Sequence, residues 1–258
     1  MPTKHEKVSL SKSTVALILG SLLGDGSLKI QPKYENARYA FRHSVKQKDY
    51  FFWKVAMLKE ISSTKSNWLQ KPDGFSKVNA KLRYQSLALP SLTDIYELTH
   101  KGKRFVVRRK WLNSMDELSI AVWWLDDGSL IANARKGVIC TDGFSKETVE
   151  LLSRYLKVVW GISSSVGPVT KPSADGSERQ YYRIWIRSTD ELKKLLLIVA
   201  PHVKIESMLY KVLILYKDPI LQQRWISEIA SLTGFSVDTL ASIVEQRKAS
   251  LKAFQKKI

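Results

Sequence analysis

Two aspartates stand where their surroundings allow chemistry. Asp25 closes the stretch ALILGSLLGDGSL, residues 16–28, and Asp127 closes SIAVWWLDDGSL, residues 119–130. In each, an apolar run ends in acid, glycine, serine, leucine. A run that is apolar on every side forms a helix buried all round. A carboxylate at the C-terminal end of such a helix is repelled by the helix dipole, and by its counterpart if the two helices lie side by side. A divalent cation offsets that repulsion. Oxygen ligands with open positions suit Mg²⁺, or a similar ion such as Mn²⁺, which can clamp the attacking and leaving oxygens of a phosphodiester. One Asp-Gly pair alone reads as a turn. Two copies in the same context favour a site.

The elements around the acids must position them. Asp25 and Asp127 lie 102 residues apart, and strand and helix patterns recur between and after them at about that interval. A period near 100 residues suits a duplicated domain and is too long for a solenoid. Gly20 and Gly24 share one helix face, where small residues allow close approach; Ala121 does the same for the second helix, whose Trp123 and Trp124 point into flanking cores. Ser11 or Ser13 caps the first helix, and Ser114 or Ser119 the second. Three strands alternate. Arg38, Ala40 and Arg42 oppose Tyr39 and Phe41; Lys81, Arg83 and Gln85 oppose Leu82 and Tyr84; Arg183, Trp185 and Arg187 oppose Ile184 and Ile186. One face of each sheet therefore packs on helices, and the other presents cations to DNA. Lys29 and Lys33 after the first acid, and Arg135 and Lys136 after the second, join that set.

Charge points the same way. The 258 residues are 44% hydrophobic, which supports a real core and excludes a disordered chain, and the net charge of +18 points to a polyanion. Residues 1–110 carry 22 Lys+Arg against 8 Asp+Glu, and residues 111–217 carry 14 against 12, so the first half should grip phosphate hardest. One cysteine, Cys140, excludes a disulfide framework and a Cys-based zinc site. The N-terminal residues lack the apolar segment of a secretory signal, and no run reaches the ~18 residues of a membrane span. A bacterial cytoplasm or an organelle matrix is the expected compartment, with no membrane partner.

The stretches ILGSLLGDG and IAVWWLDDG resemble the two signature helices of single-chain LAGLIDADG homing endonucleases of the intron-encoded type, a likeness running from Ser13 to Lys217. The resemblance implies an α+β fold, a pseudo-twofold duplicated αββαββα arrangement whose two curved antiparallel sheets form a DNA-binding saddle. Residues 1–112 would be the first half, 113–217 the second, and 218–258 a helical extension. It implies metal binding by Asp25 and Asp127, with the backbone carbonyls of Gly24 and Asp126 assisting. It also implies a basic residue near the end of each half: Lys211 in the second, and Lys103 or Arg104 in the first, with Arg104 at the matching position. Arginine stays charged and cannot exchange a proton with water, so the first site would cut more slowly. The implied activity is Mg²⁺-dependent, site-specific cleavage of both strands of a long asymmetric DNA target by a monomer, leaving short 3′ overhangs. Two rivals share the fold, an RNA-binding intron maturase and a non-catalytic transcription regulator. The presence of both acids favours the enzyme.

Beyond Lys217, Pro219 starts a helix, and the segment around Gly234 resembles a helix-turn-helix. Ala230 would sit on its first helix, Leu240 and Ile243 would be buried on the second, Ser236 or Asp238 would cap it, and Arg247 and Lys248 would meet DNA. A helical hairpin packed on the core is the alternative. His43 reads as a core histidine; His5, His100 and His202 have no ligand spacing; Cys140 reads as a small core residue; PSADGSE reads as a hairpin tip.

Overall fold

The computed structural model describes residues 9–71, 80–173 and 176–255. His5, and Ala174 and Asp175 at the expected hairpin tip, lie outside the described residues. The chain divides into two compact units, 1–123 and 124–258.

The first unit begins with α1, Lys12–Ser21. Ser11 caps it by accepting from the Thr14 amide, and Ala16 through Ser21 are all buried. The chain leaves the helix through a turn in which the Gly24 amide donates to the Ser21 carbonyl at 2.9 Å. Then follow β1 (Gly26–Lys29), β2 (Arg38–Ser44), α2 (Lys48–Met57), β3 (Asn67–Gln70), β4 (Lys81–Gln85) and α3 (Pro90–Thr99). This is the αββαββα order, and the strands form an antiparallel sheet in the order β1-β2-β4-β3. Its inner face is aromatic, with Tyr39, Phe41 and Tyr84 in mutual ring contact and Phe51 of α2 beneath Phe41. The alternation read from the sequence holds on β2, where Tyr39, Phe41 and His43 are buried and Arg42 is exposed. A short hairpin follows, β5 (His100–Lys101) and β6 (Arg104–Phe105), and then α4, Arg109–Leu112.

The second signature helix is α5, Glu117–Asp127, within which the division between the units falls. Its cap is Asp116, which accepts from the Ser119 amide at 2.9 Å while the Ser119 hydroxyl reaches back to the Asp116 amide. The serine expected as cap is instead the returning partner of a capping box. Gly20 meets this helix backbone to backbone, and a Cβ there would lie 2.2 Å from the Ser119 carbonyl oxygen. Only glycine permits that approach.

The second unit repeats the order with β7 (Gly128–Ile131), β8 (Lys136–Ile139), α6 (Lys146–Trp160), β9 (Ser165–Pro172), β10 (Glu178–Ile186) and α7 (Thr189–Val199). The sheet order β7-β8-β10-β9 matches the first. Gly26 pairs with Phe41 in one sheet and Gly128 with Ile139 in the other, so the registers also correspond. Gly128 is required because a Cβ would meet the Trp124 ring at 2.2 Å. The turn after β7 runs through Ala132, Asn133 and Ala134, all left-handed with φ of 50°, 56° and 58°.

Two helices close the chain, α8 (Pro219–Thr233), stopped by Gly234 at φ 83°, and α9 (Val237–Gln255). Ser236 caps α9, as one of the two expected residues. Leu240 is buried, but its helix-spaced partner is Val244, with Ile243 half-buried. The pair packs on its own unit. The Trp225 indole donates to the Val212 carbonyl at 3.1 Å, and Gln222 binds both the Ile214 carbonyl and the Tyr216 amide. Among the described residues no helix is long and apolar enough to cross a membrane.

Candidate active site

In the first unit Asp25 follows the turn after α1, with its side chain 41% exposed and Oδ2 3.5 Å from Nδ1 of His43. His43 is buried, as expected, among the rings of Phe41, Tyr50 and Phe51. The sequence reading missed that its imidazole reaches the acid. The β1–β2 register carries the signal, because Gly26 opposite Phe41 sets His43 near the residue before Gly26.

Asp25 opens onto a cleft of about 630 Å³ on the outer face of the first sheet, shared with Lys29, Arg42, Arg83 and Gln85. Four expected DNA contacts thus come together with the acid. Trp68, unremarked in the sequence, lines the same cleft, lies opposite Arg83 and is 42% exposed. Arg38 borders the group, donating to Gln85 Oε1 at 3.4 Å with its guanidinium 4.0 Å from the Tyr34 ring centre. Lys81 extends β4 opposite Ser44, and Lys33 is exposed in the connection after β1. Lys103 lines a neighbouring cleft of about 800 Å³ that shares Ser27 and Lys29 with the first. Arg104, the matching residue by sequence, is exposed and does not line that cleft.

On α2 lies a lysine the sequence reading did not single out. Lys54 of α2 has no exposed surface; its ammonium donates to Ser21 Oγ at 2.8 Å and lies 4.6 Å from the Phe41 ring centre. Ser21, the single polar residue within the apolar run, is thereby accounted for. A buried ammonium needs such partners.

In the second unit Asp126 and Asp127 end α5, and the Lys211 ammonium donates to the carbonyls of Leu125 and, at 3.4 Å, Asp126. Lys211 is 6% exposed, and its own carbonyl receives the Trp124 indole at 3.0 Å. A cation there complements the negative end of the helix. The Asp126 carbonyl, expected to assist a metal, accepts from lysine. The Asp127 carbonyl accepts from the Cys140 amide, and Cys140 itself is half-buried with its thiol pKa pushed up by burial.

The cations of the second sheet are engaged. Arg183 donates from Nε and Nη2 to the two oxygens of Asp142, each at 2.7 Å, and Lys171 adds a third contact at 2.6 Å. The Arg183 hydrogen bond, with Lys171 beside it, holds the Asp142 carboxyl at about 2, below the ordinary 3.8. Arg183 is therefore not the free cation expected from strand parity. Trp185 lies against Gly167, and Arg187 sits 5.7 Å from the Trp185 ring centre while donating to Ser165 Oγ. Lys136 is exposed at the start of β8, and Arg135 and Lys248 line a cleft of about 420 Å³ with Lys217 and Lys252. Arg247, expected to meet DNA, is engaged within its own unit. Its guanidinium donates to the Tyr210 and Leu213 carbonyls at 2.7 and 3.1 Å, anchoring α9.

The two units define a class of fold: a duplicated αββαββα chain, each copy placing an acid after a buried helix. The sequence model of the LAGLIDADG DNA endonuclease family matches residues 15–193, and the chain belongs to that family. Among relatives, RecA of Mycobacterium shimoidei is 27% identical over 218 residues, covering 79% of this chain and 47% of that protein. The cytochrome b mRNA maturase bI2 of Saccharomyces cerevisiae is 25% identical, covering 78% and 48%, and DNA endonuclease I-ChuI of Chlamydomonas applanata is 25% identical, covering 69% and 85%. The chain spans about half the length of the first curated relatives it matches. In fold it is similar to the homing endonuclease I-WcaI, solved bound to its DNA recognition sequence, at TM-score 0.66 and 22% identity over 81% of this chain and 89% of that one.

Proposed function

We propose that the protein is a site-specific double-strand DNA endonuclease, acting as a monomer on a long asymmetric target. The observation that carries this reading is the cleft joining Asp25 to Lys29, Arg42 and Arg83, an acid set among cations on a sheet face. Family membership supports it, as do the relatives named as endonucleases.

The donors suit a hard divalent cation, Mg²⁺ or Mn²⁺: carboxylate oxygens, that of Asp25 open to solvent, at the ends of buried helices. Asp25 in the first half and Asp127 in the second would each hold such an ion. When bound, such an ion supplies charge neutralisation at the phosphate and a more acidic water. Asp25 is held from behind by His43. Lys211 supplies positive charge at the helix end that carries Asp127, and Lys103 supplies it from the cleft next to that of the first acid, with Arg104 outside that cleft. The outer faces bind phosphates and bases, and each half cuts one strand to leave short 3′ overhangs. Cations committed to neither acid, Lys29, Arg42 and Arg83, hold the duplex through phosphates. The likeness to an mRNA maturase favours intron RNA as a second partner.

The test is selection of cleaved sites from a randomised DNA library in Mg²⁺, repeated with D25N and D127N. A defined site is expected from the unaltered chain, and retained DNA binding without double-strand cutting from each variant. Full cutting by either variant, or no selected site at all, overturns the proposal.

A further inference from the structure

Arg183 is held in a way no arginine of the first sheet is held. Asp142 takes it side-on, through Nε and Nη2, and Lys171 donates to Oδ2 of the same carboxylate. Side-on pairing uses Nε–H and one N–H of Nη2. It leaves both N–H groups of Nη1 and the outer N–H of Nη2, which make no hydrogen bond among the described residues. Those groups form a fork of two parallel donors at the end of the guanidinium. Arg183 shares its side of β10 with Trp185, next to the exposed Arg187.

The ligand of such a fork follows from its charge and shape. A phosphate gains less here than at a free arginine, because the Asp142 carboxylate, 2.7 Å from the same guanidinium, offsets one of the two positive charges of Arg183 and Lys171. A neutral edge with two adjacent acceptors is not repelled. In the major groove the O6 and N7 atoms of guanine form that edge, and a bidentate arginine contact there discriminates against other bases by roughly tenfold or more. An arginine already fixed at its Nε side loses little side-chain freedom on binding.

The first sheet is built otherwise at the same place. By register Tyr84 corresponds to Ile184 and Arg83 to Arg183, while Asp142 corresponds to Ser44. Ser44 caps the turn after β2. Arg83 has no carboxylate beside it in that position and keeps its full charge for phosphate.

We propose that Asp142, Lys171 and Arg183 form a preassembled reader of a guanine edge on the second sheet, with Asp142 as a positioning residue that sets specificity. This rests on the endonuclease reading above. The test compares cleaved-site profiles from a randomised DNA library in Mg²⁺ for the unaltered chain, D142A, D142N and R183Q, each with a thermal melt. The unaltered chain is expected to select guanine at one position of the half-site read by the second unit. D142A and R183Q should each weaken that preference roughly tenfold, with preferences elsewhere retained. D142N, which keeps the volume and one acceptor, should fall between and carries the comparison if D142A melts early. An unchanged profile, or a uniform loss of selectivity at every position, overturns the reader and leaves the endonuclease reading standing. A chain that selects no site at all overturns the endonuclease reading, and the reader with it.

Discussion

The two sheets share strand order and register but not electrostatics. In the first, Arg42 and Arg83 face each other across paired strands with Lys29 and Asp25 in the same cleft. In the second, the residue matching Arg42 is Cys140, and the arginine matching Arg83 is tied to an aspartate. Duplication copied the backbone and the acids, and the outer faces then diverged. The first outer face presents Lys29, Arg42 and Arg83 together, and the second presents an arginine bound to an aspartate. The asymmetry of charge along the chain, +14 over residues 1–110 and +2 over residues 111–217, is the same divergence seen in composition.

The largest expected effect tests whether the halves remain equal where the chemistry lies. D25N and D127N should each lower double-strand cleavage by at least about a hundredfold, leaving nicked product from the other half. Gel analysis of supercoiled plasmid separates the outcomes. Loss of all nicking in one variant alone would mean that the halves are not independent.

The next effect concerns what only the second unit has. Trp225→Ala removes a buried indole and its bond to the Val212 carbonyl, and should cost about 3–5 kcal/mol, read by chemical denaturation. If the tail acts as a docked helical pair, DNA footprint length stays the same in W225A. A footprint shortened on one side would instead favour the helix-turn-helix reading.

Smaller still are the glycines that both halves need. Gly20→Ala and Gly128→Ala each force a Cβ against a neighbour at 2.2 Å, backbone in the first case and the Trp124 ring in the second. Overpacking of this kind costs about 1–3 kcal/mol. Both press on a backbone carbonyl, that of Ser119 in the first case and, with the ring, that of Trp124 in the second, so comparable losses are expected in the two melts.

The salt dependence of DNA binding sharpens the contrast directly. Each phosphate contact contributes about 0.9 to the slope of log K against log salt. The double variant R42Q/R83Q should flatten the slope by about 2 units of contact, and R183Q by almost none. Equal flattening would break the comparison.

Least in size is the acid limb of stability. The folded Asp142 carboxyl, at about 2, lies below its ordinary 3.8, so it stabilises the chain above about pH 4 and that contribution is lost as pH falls toward 2. D142N should flatten this limb in denaturation curves taken between pH 5 and 2.5. No corresponding aspartate exists at Ser44 of the first sheet.

What could be read from the sequence was what repeats locally. The acids, the all-apolar helices, the strand parity and the duplication each rest on spacing along the chain. What escaped depends on partners far apart in sequence. Parity put Arg183 on the outer face but could not say that Asp142, 41 residues away, occupies it. His43 was correctly buried, yet its link to Asp25 arises from hairpin register. Arg247 looked like a solvent-facing basic residue of a second helix, and its true acceptors are carbonyls 37 and 34 residues away. The cap of α5 is Asp116, between the two expected serines, and Ser119 sits one turn inside as its hydrogen-bond partner.

Lys54 has a consequence of a different kind. With its ammonium sealed between Ser21 and two aromatic rings, it is shielded from amine-reactive reagents while the first unit stays closed. Its acylation rate then reports how often α2 lifts from the sheet, and mass spectrometry of that single peptide becomes a clock for opening events in the first unit.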